Sequence, residues 1–450
     1  YGAIKYFSDA KGSRLDLNEV YEKPQDGINM TLTINYDIQA SLERELDNAV
    51  TKYNPDQALG IAMNPKTGEI LAISSRPNFS PTNYQNYTVE ERNRNLPIWM
   101  TYEPGSTFKI ITLASSLEEK IVDLDNDNYY DSGATKVENA TIHCWKHGGH
   151  GAQTYLQVVE NSCNPGFVQL GLKLGKDKLF NYLKLFGFGM KTGVDLNGEG
   201  AGIIFDLAKV GPVELATTAF GQGVSVTPIQ QITAVSAAIN GGYLYKPYIV
   251  KTLNEPETNS VVLENKPTVV RKVISDETSY KVRYALESVV TNGTGRPAFI
   301  DGYRVGGKTG TAQKVKDGRY MVGNYIVSFI GFLPADDPEV VVYIAIDNAK
   351  GVTQYGGTVA APIARQVLLD SIDALNIKKR EGASDKKYNY NDKKYIEVPN
   401  VEGKSVDDAM KELKSFKVEF SGSGNNVSVQ TPSAGERILE GETIKLLLTE

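Results

Sequence analysis

Tyr102-Glu103-Pro104-Gly105-Ser106-Thr107-Phe108-Lys109 is the stretch on which the reading of this chain turns. Pro104-Gly105 forces a tight turn, and the residues after it read as a helix. Ile110, Leu113, Ala114, Leu117 and Ile121 fall at i, i+3, i+4, i+7 and i+11, one apolar face able to pack into a core. Ser106 and Lys109 lie three apart at its start and so share a face. A serine hydroxyl is nearly unreactive at neutral pH unless a base lies within hydrogen-bond reach, and Lys109 is placed to be that base. Taken alone the pair is just as well the start of an ordinary helix carrying a solvated lysine.

Two later motifs bear on it. Ser162-Cys163-Asn164, followed by Pro165, sits where one helix yields to the next, because Asn favours the cap and Pro the first turn. It is either that cap, or a hydroxyl and an amide held beside Lys109. In Gly306-Gly307-Lys308-Thr309-Gly310-Thr311, glycines flank a Lys-Thr pair, which suits a strand whose backbone approaches a ligand closely. Lys308 would add positive charge near Lys109 and depress its pKa, and the threonine hydroxyls could hold a carboxylate. Its plain alternative is a glycine-rich loop.

Around these motifs the chain divides. Residues 1–28 are polar and irregular, and are expected to be the remnant of a larger N-terminal region. From Met30 a strand-like TLTI leads into a helix over Ile38–Val50, and Ile61–Ser75 reads as a hairpin turning at Asn64-Pro65-Lys66-Thr67-Gly68. Residues 152–240 are mostly helical, Val341–Asp347 is a buried strand, and Thr358–Leu375 is a closing helix. Residues 376–394 are charged, with no apolar period, and form a linker. Residues 395–450 make a small strand–helix–strand module, its helix expected over Ser405–Phe416.

At 450 residues the chain fits two or three domains, and 41% hydrophobic content is ordinary for a folded soluble protein. A net charge of −6 gives no support to nucleic-acid binding. No run of about 18 apolar residues is present to span a bilayer. A chain beginning at Tyr1, without a leader, is expected to be a soluble piece of something longer.

Taken in order, Ser-x-x-Lys, Ser-x-Asn and Lys-Thr-Gly are the motif set of penicillin-binding proteins and serine β-lactamases. Over most of 29–375 the chain resembles a class B penicillin-binding protein, also in LTINYDIQ (Leu32–Gln39), NPKTGEILA, RPNFSP (Arg76–Pro81), YEPGSTFK and GQGVSVTPIQ (Gly221–Gln230). The resemblance implies an α+β transpeptidase domain over 29–375, an antiparallel sheet flanked by helices plus an all-helical part. It implies Ser106 as acylated nucleophile, Lys109 as general base, Ser162 and Asn164 as proton relay and substrate clamp, and Lys308, Thr309, Gly310 and Thr311 as the substrate-binding strand. The backbone N–H groups of Ser106 and Thr311 would form the oxyanion hole, where one donor contributes about 3 kcal/mol.

The implied reaction is D,D-transpeptidation of peptidoglycan stem peptides, with no cofactor for the chemistry and with β-lactams as covalent ligands. A D,D-carboxypeptidase or β-lactamase, and a non-catalytic β-lactam sensor, are the alternatives. A class A β-lactamase needs a Glu that positions water, and no segment clearly supplies one. The resemblance further implies a single N-terminal membrane anchor outside these residues, catalysis on the outer face of the bacterial cell membrane, and a SEDS-family glycosyltransferase partner. Val398-Pro399-Asn400-Val401, Gln430–Gly435 and Gly441-Glu442-Thr443-Ile444 resemble a PASTA domain, of small α+β fold. A lone C-terminal PASTA domain points to the sporulation-specific members of the family, with a vegetative division enzyme as runner-up.

The only two cysteines, Cys144 and Cys163, lie near the only three histidines, His143, His147 and His150. Cys144-Trp145-Lys146 and Gly149-His150-Gly151 resemble the zinc-carrying segment of elongation-type penicillin-binding proteins, which implies Asp131, Cys144, His150 and Cys163 as ligands of a structural Zn2+. His143 or His147 substitutes if the loop bends otherwise. A Cys144–Cys163 disulfide, or loop histidines without a ligand, are the alternatives.

Overall fold

The computed structural model describes residues 2–15, 20–24, 26–316, 318–380 and 395–449. Its centre is a five-stranded sheet ordered Gly306–Lys316, Arg319–Leu333, Val340–Asp347, Gln57–Met63, Ile70–Arg76, antiparallel throughout. The third of these strands explains its own sequence. Val340, Val342, Ile344 and Ile346 enter one core while Val341, Tyr343 and Ala345 enter another, so both faces are covered and every position is buried.

On one side the helices Tyr36–Tyr53 and Gly356–Ala374 close the sheet. Asn35 starts the first of them, its side chain accepting from the N–H groups of Asp37 and Ile38. On the other side lies the helical part, which includes Lys109–Glu118, Asn164–Leu174, Pro228–Ile239 and Asp276–Thr291. Asn64–Gly68 turns between strands as its composition predicts.

Four expectations need adjustment. The helix after the first motif opens with a 3-10 turn, Gly105–Phe108, and its α-helical part ends at Glu118, before Ile121. Lys120 adopts a left-handed conformation (φ 54°), and the N–H of Ile121 reaches back to Ser116 O, a Schellman closure. Ile121 still packs on the core because that closure returns an apolar side chain to the helix flank. The N-terminal stretch is not wholly irregular, since Ala3–Lys5 pairs with Val20–Glu22. The linker reading falls mostly on 381–394, outside the described residues, and its opening is anchored: Ile377 is buried and Arg380 pairs with Asp336 at 3.2 Å.

In the C-terminal module the helix covers only Val406–Glu412, because the next strand already begins at Lys417 and Leu413 turns into the core. Strands Lys417–Gly422, Thr443–Thr449 and Asn426–Thr431 form its sheet, over a core of its own that includes Val398, Val401, Ala409 and Ile444.

Candidate active site

The nucleophile turn is pressed against the edge strand of the sheet. Gly105 has φ 56°, and a side-chain carbon on it would lie 3.1 Å from Ala312 Cβ and 3.2 Å from Thr311 O. Only glycine is unstrained there. Gly105 N donates to Gly221 O (3.1 Å), which ties in the GQG segment. Ser106 is left part-exposed between buried neighbours, at the point where the 3-10 turn passes into the helix.

Lys109 begins that helix and is wholly buried. Its Nζ donates to Ser162 O (2.8 Å) and to Asn164 Oδ1 (2.6 Å), and lies 3.2 Å from Ser162 Oγ. Burial is the leading cause of a pKa lowered to about 7, and the neighbouring thiols of Cys163 and Cys144 only partly oppose it. Loss of one proton near neutrality leaves such an amine two N–H donors and a lone pair able to accept a proton. Ser162 is held with φ 53°, a conformation that L-residues avoid, between the helices Tyr155–Glu160 and Asn164–Leu174.

Of the two readings of this motif, the structure shows the amide beside Lys109 and not the cap. Cys163 occupies the N-cap position, and the Asn164 side chain instead accepts from Lys109 and donates to His143 O (3.3 Å). Lys308 departs from expectation. Burial, not its charge, leads the depression of Lys109, and Lys308 is itself pushed well below its ordinary value by burial and then by Lys109. Its Nζ donates to Thr309 O (3.2 Å).

Thr309 and Thr311 are held from behind. Thr309 Oγ1 meets Thr294 Oγ1 at 3.0 Å, and Thr311 Oγ1 accepts from the Gly356 N–H (3.3 Å) at the start of the 19-residue helix Gly356–Ala374. The positive end of that helix faces the strand, which favours an anion there. A side chain on Gly356 would fall on the carbonyl oxygens of Gly310 and Ser328.

The Cys and His residues converge as the resemblance implies, with His150 rather than His143 or His147. Donor atoms of Asp131, Cys144, His150 and Cys163 lie within 4.8 Å of one another. His150 Nδ1 is 2.9 Å from Asp131 Oδ2 and 3.4 Å from Cys144 Sγ, and Cys163 Sγ is 3.3 Å from Asp131 Oδ2. These are about the edge lengths of a tetrahedron with bonds of 2.0–2.3 Å, so one oxygen, one nitrogen and two sulfurs suit zinc. Both thiols are free, so the disulfide alternative is not formed. Burial pushes the Asp131 carboxyl up, but hydrogen bonds from Cys144, Gly133, His150 and Cys163 outweigh it and hold Asp131 well below the usual carboxylate range.

Sequence reasoning passed over several residues here. Thr294 and Gly356 carry no motif of their own. Glu103 accepts from Gly223 N (2.8 Å) and from Tyr320 Oη (3.1 Å), joining the nucleophile turn to the hairpin beyond Thr311. Tyr343 could have been noticed as the one hydroxyl within an otherwise aliphatic strand interior.

Residues 58–369 match the penicillin binding protein transpeptidase domain, and residues 396–450 match the PASTA domain. The chain belongs to the penicillin-binding protein transpeptidase family, in the arrangement that carries a C-terminal PASTA domain. Among relatives, it is 59% identical to stage V sporulation protein D of Bacillus subtilis (strain 168) over 450 residues, all of this chain and 70% of that protein. It is 30% identical to peptidoglycan D,D-transpeptidase FtsI of Buchnera aphidicola over 382 residues, 84% of this chain and 63% of that one. The fold matches penicillin binding protein 2X of Streptococcus thermophilus with a TM-score of 0.75 at 25% identity, covering 100% of this chain and 67% of that one. It matches ampicillin-bound penicillin binding protein 3 of Mycobacterium tuberculosis with a TM-score of 0.74 at 27% identity, covering 82% and 84%.

Proposed function

We propose that the chain is the catalytic part of a peptidoglycan D,D-transpeptidase of the sporulation type, working through a Ser106 acyl-enzyme. The observation that carries this is the buried Lys109 amine, lowered to about 7 and turned toward Ser162 and Asn164 at the foot of the nucleophile's helix. A lysine poised near neutrality can take a proton from a serine and return it.

The Ser106 Oγ–H proton passes to the Lys109 amine as Oγ bonds to the carbonyl carbon of the D-Ala–D-Ala amide. Collapse of the tetrahedral adduct breaks the C–N bond, and the proton moves through the Ser162 hydroxyl to the leaving D-Ala nitrogen. An amine from a neighbouring stem then attacks the ester, its N–C bond forms, and its proton restores the Ser106 hydroxyl by the reverse path. Thr309 and Thr311 hold the terminal carboxylate, Asn164 and the backbone about Gly310 hold the peptide, and the buried Lys308 amine braces that strand by donating to Thr309 O. The N–H groups of Ser106 and Thr311 receive the oxyanion, and β-lactams enter as acylating mimics.

Asp131, Cys144, His150 and Cys163 would hold a structural Zn2+, which supplies no step of the reaction and fixes Cys163 inside the second motif. Elemental analysis with a thiol count tests it: one zinc per chain with both thiols metal-protected is expected, and absence of both metal and free thiols would sink the reading. The division into 1–28, 29–375, 376–394 and 395–450 belongs to the same proposal. So do a membrane-anchored parent with its catalytic domain on the outer face and a SEDS-family partner, for which the resemblance is the support. No helix among the described residues is long and apolar enough to cross a membrane.

Intact mass after penicillin exposure is the test of the chemistry. One stoichiometric adduct is expected on the wild-type chain and none on Ser106→Ala. Stem-peptide dimers formed from supplied donor and acceptor separate a transpeptidase from a sensor, and rapid release of hydrolysed penicillin would mark a β-lactamase instead.

A further inference from the structure

Behind the nucleophile turn lies a set of hydroxyls that the chemistry above does not use. Tyr343, on the strand Val340–Asp347, is wholly buried, and its phenol oxygen hydrogen-bonds that of Tyr102. The Ser328 and Thr107 hydroxyls belong to the surroundings of the same oxygen. All four residues are buried. A buried phenol hydroxyl bonded to another buried hydroxyl costs desolvation that phenylalanine would not incur. Something other than packing must account for the oxygen.

Tyr102, Thr107 and Ser328 belong to the two walls of the site. Tyr102 and Thr107 bracket Glu103-Pro104-Gly105-Ser106, and Thr107 Oγ1 also donates to Pro104 O (2.9 Å), bracing the turn itself. Ser328 pairs with Gly310 across the sheet, next to Thr311. At Gly310 the walls touch: a side-chain carbon there would fall on Ser328 Oγ and lie 3.0 Å from Thr107 Cγ2. The Tyr102–Tyr343 bond thus ties the segment carrying the Ser106 N–H to the sheet whose edge strand carries the Thr311 N–H.

We propose that Tyr343 is a positioning residue, its hydroxyl fixing the spacing of the two backbone donors that receive the oxyanion. The inference rests on the Ser106 acyl-enzyme reading. Oxyanion stabilisation depends on donors held in place before charge develops, so loosening their spacing costs the transition state more than the ground state.

The test separates acylation into pre-covalent binding and the acylation rate constant, using a slowly reacting penicillin and intact mass. Alongside it run the affinity of a peptidyl boronic acid, whose tetrahedral adduct places an oxygen in the hole, and thermal melting. For Tyr343→Phe the expected result is a rate constant lowered about 10- to 100-fold, part of the 10²–10³ that a lost oxyanion donor costs. Boronate affinity should fall in parallel while pre-covalent binding stays within about twofold. Ser328→Ala removes a neighbouring hydroxyl that sits against Gly310 without adding bulk, should show the same split to a smaller degree, and decides the matter if the phenylalanine variant does not fold. An unchanged rate constant, or rate and binding falling together in proportion to folded protein lost, overturns the proposal. Failure of the wild-type chain to take any adduct would overturn the Ser106 reading itself.

Discussion

At the scale of single residues the reading comes down to protonation. Lys109 acts as a base only when neutral, and burial brings its pKa to about 7. The acylation rate should therefore rise as pH increases through about 7 and level off above it, because the neutral fraction grows in that direction. A penicillin-acylation profile flat from pH 5.5 to 9 would argue against Lys109 as the base. Lys109→Met should lower acylation about 10²–10⁴-fold, the range general-base catalysis contributes. Ser162 gives a prediction of opposite sign for stability. Its left-handed backbone costs about 1–3 kcal/mol, which glycine would relieve. Ser162→Gly should melt no lower than wild type, whereas Ser162→Ala keeps the strain; both should acylate slowly, read by fluorescent penicillin. These residues were legible because each sits in a short motif whose order is improbable by chance. The reason for the lowered lysine was not, since burial belongs to the packed protein and no motif encodes it.

Among elements, the decisive contact is the end-on approach of the helix Gly356–Ala374 to the strand Gly306–Lys316. Gly356→Ala would push a methyl group onto two carbonyl oxygens. We expect it to lower both the melting temperature and the acylation rate, at least tenfold for the rate, because strand and helix must part to admit it. A variant with wild-type acylation would show that the strand yields freely there. The closing helix itself could be read from its apolar run, but not where it pointed, because the seat of Gly356 against Gly310 and Ser328 exists only in the folded sheet. Much the same applies to the metal loop. Its four candidate ligands were placed by resemblance, while their convergence depends on strand Asn128–Asp131 pairing with Gly151–Thr154. Cys163→Ser should reduce zinc content and lower the melting temperature, measured by elemental analysis and calorimetry on the same sample.

For the whole molecule, the catalytic cores and the small C-terminal core share no residue. Arg437 pairs with Asp301 at 2.9 Å between the two parts, and Arg437 is about half exposed. A pair of that kind contributes about 0–1 kcal/mol. Removing residues 395–450 should leave the catalytic melting transition and the acylation rate unchanged; a fall in either would mean that the appended module supports the site. Division into a large and a small unit was plain from the charged break after Asn376, where apolar periodicity stops. The ordered start of that break was not, because Arg380 finds its carboxylate partners only in the folded chain.

The close contact of Gly310 with Thr107 and Ser328, and of Gly356 with two carbonyls, also bears on evolution under antibiotic pressure. Positions without room for one carbon offer no viable single substitution, so this inner ring cannot drift toward drug evasion by small steps. Change that spares the native reaction has to come from side chains outside that ring, such as the exposed Tyr320. Resistance in this enzyme would be written on its rim.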